Sequence, residues 1–137
     1  MKHRQFCLVL IGLGLTAWLA QVTLPLISVP RETLPLGGDE LWRDALWELL
    51  PYAVLCTIAA FVRVPKVGNW FLCIALILMG GVGISAWIEY ATGGGCMRGL
   101  GLIMGYFLQC IIATTGILLA LIAKAVEYFR RRRAQVA

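Results

Sequence analysis

Polar residues in this chain fall in narrow bands between long apolar runs, and that alternation predicts its elements. The apolar runs cover about 6–27, 49–63, 70–88 and 99–123. The last reads GLGLIMGYFLQCIIATTGILLALIA, carries no formal charge and is closed by Lys124. As a helix rising about 1.5 Å per residue it reaches roughly 37 Å, more than the roughly 30 Å hydrocarbon core of a bilayer. The run at 49–63 is the shortest. Leu46 and Trp47 extend it at one end, and Arg63 and Lys66 are placed to snorkel at the other. The pattern predicts an all-α membrane protein: a bundle of four transmembrane helices.

The one sizeable hydrophilic connection lies between the first two runs. Pro30, Pro35, Gly37 and Gly38 predict an extended or turned linker. Asp39 then fits an N-cap for D-E-L-W-R-D-A-L-W-E-L-L, which runs up to Pro51. Leu41, Trp42, Ala45, Leu46 and Leu49 recur at helical spacing, while Asp39, Glu40, Arg43, Asp44 and Glu48 take much of the rest. This predicts an amphipathic helix over about 39–49, lying on the outer membrane face with tryptophans at headgroup depth. Trp42, Asp44, Trp47 and Glu48 are the candidate outer-surface partner contacts. The helix is acidic, so attraction to anionic lipid does not explain it.

Composition sharpens this picture. Hydrophobic residues make up 61% of the 137 positions and charged residues only 14%, against about 25% charged in a soluble domain. A single integral membrane domain over 1–137 is expected, with no soluble partner domain. The net charge of +5 does not indicate nucleic acid, because the charges sit at the ends of apolar runs. With the N-terminus inside and four crossings, nine of the 12 Lys and Arg residues and one of the seven acids fall inside. That asymmetry predicts both termini on the cytoplasmic side of an inner, or plasma, membrane. The basic tail at 124–137 holds Arg130, Arg131, Arg132 and Arg133, which suit anionic headgroups at about 1 kcal/mol per charge. Trp42, Trp47 and Trp87 are expected near the outer interface, Trp70 near the inner one, and Trp18 at mid-span.

Lys2, His3 and Arg4 before an apolar run resemble the start of a signal peptide. Trp18 stands three positions before Ala20, where cleavage needs a small residue, so an uncleaved signal anchor is expected. Cys7, Cys56, Cys73 and Cys110 fall inside apolar runs and only Cys96 in a loop, which predicts no disulfide framework.

Within the fourth run, Gly101, Gly105, Gln109 and Gly116 share one face. Such a stripe predicts a helix-packing seam, with Gly12 and Thr16 on the first helix and Gly80 and Gly83 on the third as its mates. Gln109 is expected to bond Thr16, Thr114 or a backbone carbonyl, the alternative being a solute path. No Asp, Glu, Lys, Arg or His falls in the central part of any span, which argues against ion-coupled transport. Small-multidrug transporters share this length and helix count, but their first-helix carboxylate has no counterpart in 6–27. Enzyme signatures are thin. His3 is terminal, Gly93-Gly94-Gly95 precedes no Lys-Ser/Thr, and Glu48 and Glu89 are better placed to pair with Arg43 or Arg98 than for acid–base work. Neither cofactor nor metal is implied. The expected partners are the lipid bilayer and a membrane or periplasmic protein, or a second copy. The expected function is non-enzymatic: an immunity or inhibitor protein against a membrane-targeting toxin, or an accessory subunit of a membrane complex. The alternative is a small oligomeric channel, holin-like pore or transporter.

Overall fold

A computed structural model describes residues 3–28, 38–92 and 98–136. All its regular structure is helical: α1 (His3–Ser28), α2 (Gly38–Phe61), α3 (Lys66–Thr92) and α4 (Arg98–Val136). Stretches of α1 (Gln5–Thr23), α3 (Lys66–Tyr90) and α4 (Leu100–Gln135) are long and apolar enough to cross a membrane. The apolar part of α2, Ala45–Phe61, is shorter, about 25 Å of helix.

One expectation about element boundaries is corrected. The amphipathic segment at 39–49 and the run at 49–63 are not two elements, because α2 passes unbroken through Pro51. Proline removes one backbone donor but keeps a φ compatible with a helix. Ala45, Glu48, Tyr52, Leu55 and Ala59 form one continuous buried stripe across it, and burial of that face outweighs the lost hydrogen bond. At the other end, α4 takes in nearly all of the basic tail. The helix continues to Val136, and Arg131 pairs with Glu127 one turn back at 2.5 Å.

Consecutive helices run antiparallel. On α1 and α2, the Cys7 thiol faces the Ala59 carbonyl at 3.6 Å and the Trp18 indole N–H donates to the Ala45 carbonyl at 2.8 Å. Early α1 therefore meets late α2, and late α1 meets early α2. On α3 and α4, Gly105 faces Ala86 and Gly116 faces Ala75; a methyl group on either glycine would lie 2.5 Å from the facing Cβ. No side chain fits there, and the two backbones approach accordingly. Between α1 and α3, which run parallel, Gly80 receives Ala17.

Two apolar clusters fill the space between the helices. The larger includes Leu10, Tyr52, Leu55, Leu72, Leu76 and Met79. The smaller gathers Val22, Ala45, Trp87, Tyr90 and Leu102 near the end where α1 and α3 finish and α2 and α4 begin. The outward faces are apolar too, with Leu15, Ile77, Phe107, Ile111 and Ile122 all exposed. Apolar surface of that extent is out of place in water and natural in lipid.

Candidate functional site

Between the two apolar clusters sits the polar centre of the protein, to which all four helices contribute. One face of α2 carries Glu48 and Tyr52 four residues apart, so both point into the core. Glu48 is only 5% exposed, Gln21 of α1 is 0% and Gln109 of α4 is 1%. Trp87 of α3, at 1%, completes the set.

The bonding is dense. The Gln21 amide Nε2 and the Trp87 indole N–H both donate to Oε2 of Glu48. The Oε1 of Gln21 accepts the Tyr52 hydroxyl at 2.9 Å and Nε2 of Gln109 at 3.0 Å. Nε2 of Gln109 also donates to the Met79 carbonyl at 3.1 Å. Gln21 is thus the hub: one amide joins α2 through its nitrogen and α2 and α4 through its oxygen. A buried carboxylate is costly unless hydrogen bonded, and two N–H donors on one oxygen reduce that cost. The Oε1 of Gln109 is buried and finds no hydrogen-bond partner among the described residues.

Gly83 makes the site possible. A Cβ there would run into the carboxamide of Gln21 and Nε2 of Gln109. The absence of a side chain on α3 at this level leaves the volume that the two amides occupy.

The expected site residues divide. Gln109 and Gly83 belong to the polar centre, with Gln109 on a carbonyl and on Gln21, not on Thr16 or Thr114. Gly101, Gly105 and Gly116 face α3, and Gly80 faces α1. Gly12 and Thr16 do not join the seam. Nothing would lie within 4 Å of a Cβ on Gly12, and the exposed Thr16 hydroxyl donates to the Gly12 carbonyl of its own helix at 2.8 Å. Small residues at helical spacing also occur on outward faces, where nothing approaches them.

Glu48 is the main correction. It is not an outer-surface contact but a core residue near the start of the apolar part of α2. Trp87 is likewise buried, its indole on Glu48. Trp47, at 61%, is exposed. The side chains of Trp42 and Asp44, the linker at 29–37 and Cys96 lie outside the described residues. Arg130, Arg131, Arg132 and Arg133 are exposed along the end of α4.

The roles of Gln21, Tyr52 and Trp87 were missed from sequence. The available signal was the spacing 45, 48, 52, 55, 59, which puts Glu48 on the apolar side of α2. Among the described residues no three His, Cys, Asp or Glu side chains cluster as a metal site would need. No family model, curated protein or solved structure matches this chain.

Chemically, the centre is a lock. Apart from the Oε1 of Gln109, its side chains bond one another across four helices, so separating any helix leaves polar groups orphaned in an apolar interior.

Proposed function

We propose that this is a multi-pass inner-membrane protein that works by contact with other proteins and not by catalysis. The observation that carries this reading is Gln109. As the mid-span amide of α4 it is the residue a solute path would use, yet its nitrogen is bonded to Gln21 and to the Met79 carbonyl. Polar groups committed to one another favour a scaffold over a conduit. The helix faces then available to a partner are the outward ones, including the α2 stripe of Leu46, Trp47 and Leu50.

In this reading all four helices cross, both termini are cytoplasmic, and the start of α2 projects on the outer side. The charge asymmetry supports that orientation. Two roles suit such a body: an immunity or inhibitor protein that neutralises a membrane-targeting toxin, or an accessory subunit of a larger membrane complex. The exposed Arg130 to Arg133 suit the anionic headgroups of the cytoplasmic leaflet.

The rival reading, a channel, holin-like pore or transporter, draws on one observation: Glu48 is a carboxylate buried in the helix bundle, where ionisable groups commonly serve transport. Two measurements separate the readings. Affinity purification from gently solubilised membranes should recover a partner that Trp47→Ala loses. Proteoliposomes should show no ion or solute flux above protein-free vesicles. Flux that Gln109→Leu abolishes, with no partner recovered, reverses the conclusion.

A further inference from the structure

A second feature lies on the outward side of the α3–α4 pair, away from the polar centre. It is an open groove of about 420 Å³ whose lining includes Val82, Glu89, Gly101, Met104, Leu108 and Ile111. That volume lies within the range of sites that hold small amphiphilic ligands.

The groove is polarised along its length. At the end near the α3–α4 connection the Glu89 side chain lies across Gly101: a Cβ on Gly101 would stand 3.4 Å from the carboxyl carbon and from Oε2. Glu89 is exposed, and no ion pair joins it to any residue whose side chain is described, a set that leaves out Arg98. From Gly101 to Ile111 the α4 wall turns apolar and runs inward for roughly 15 Å, a length suited to an acyl chain. Glu89 stands at the end of the apolar stretch Lys66–Tyr90, the depth at which headgroups begin.

We propose that this groove holds one membrane lipid with a primary-ammonium headgroup, its acyl chain along α4 and its ammonium on the Glu89 carboxylate. Charge complementarity selects the occupant. An anionic headgroup is repelled by Glu89, and a quaternary ammonium has no N–H to donate, whereas a primary ammonium supplies both charge and hydrogen bonds. The proposal rests on the membrane reading above.

The test begins with extraction of native membranes by alkaline carbonate. Release of the protein would overturn the membrane reading itself. Retained protein is then purified in detergent and offered equimolar phosphatidylethanolamine, phosphatidylcholine and phosphatidylglycerol with identical chains, and bound lipid is counted by native mass spectrometry. Phosphatidylethanolamine should be retained about fivefold over phosphatidylcholine, as expected for a partly exposed charge-assisted hydrogen bond that the quaternary ammonium cannot make. Glu89→Gln should bring the two to parity, and Glu89→Lys should shift the preference to phosphatidylglycerol. Equal retention of all three lipids by the wild type overturns the proposal. So does a preference that survives Glu89→Gln, or a dimer that forms through this face and expels the lipid.

Discussion

The Trp87 indole N–H donates to the Glu48 carboxylate across the α2–α3 boundary, and the same oxygen receives the Gln21 amide from α1. One buried oxygen thus ties three helices, and the fourth joins through Gln109. Glu48→Ala should cost about 1–3 kcal/mol for each donor it orphans. Glu48→Gln retains an acceptor oxygen and should cost clearly less. Unfolding in mixed micelles, followed by circular dichroism as denaturing detergent is added, measures both variants. Equal losses would show that the acceptor role of Glu48 is not what stabilises the fold.

Gly83 and Gly12 make a matched pair. A methyl group at Gly83 meets two amides of the polar centre, while one at Gly12 meets nothing. Gly83→Ala should destabilise by about 1–3 kcal/mol, the usual cost of overpacking. Gly12→Ala should be neutral or stabilising by up to about 1 kcal/mol, since alanine is the better helix former. The same unfolding assay reads both.

The contact of Gly105 with Ala86 invites an exchange. Gly105→Ala places a methyl 2.5 Å from the Ala86 Cβ and should push α3 and α4 apart. Ala86→Gly in the same chain removes the obstructing methyl and should restore much of the loss. A coupling of about 0.5–3 kcal/mol between the two is expected. Additive losses would place the backbone approach elsewhere on these helices.

Much of this architecture is legible in the sequence, because long uncharged runs have few alternatives to membrane-length helices. The glycine seam on α4 is legible for a related reason: Gly101, Gly105 and Gly116 repeat at helical spacing, and α3 sets Ala86 against Gly105 and Ala75 against Gly116. Failure came where a local signal opposed a tertiary one. Pro51 reads as a helix stop and Glu48 as part of a charged face with Asp44, yet the buried stripe from Ala45 to Ala59 carries α2 through the proline and turns Glu48 inward. Gly12 and Thr16 show the converse. Their spacing is that of a packing face, and only the three-dimensional arrangement reveals that no helix lies against it. Gln21, a single amide inside an apolar run, gives no hint by itself that its partners are Glu48, Tyr52 and Gln109.

The central claim is that the polar centre locks four helices together, and Gln21 with Gln109 tests it most directly. Gln21→Leu, Gln109→Leu and the double variant are unfolded in the same bicelles as the wild type, and the coupling between the two positions is taken from the cycle. A lock predicts a coupling near 0.6 and up to about 1.7 kcal/mol, the range found for hydrogen bonds between membrane helices. Losses that simply add would contradict it, and so would variants as stable as the wild type.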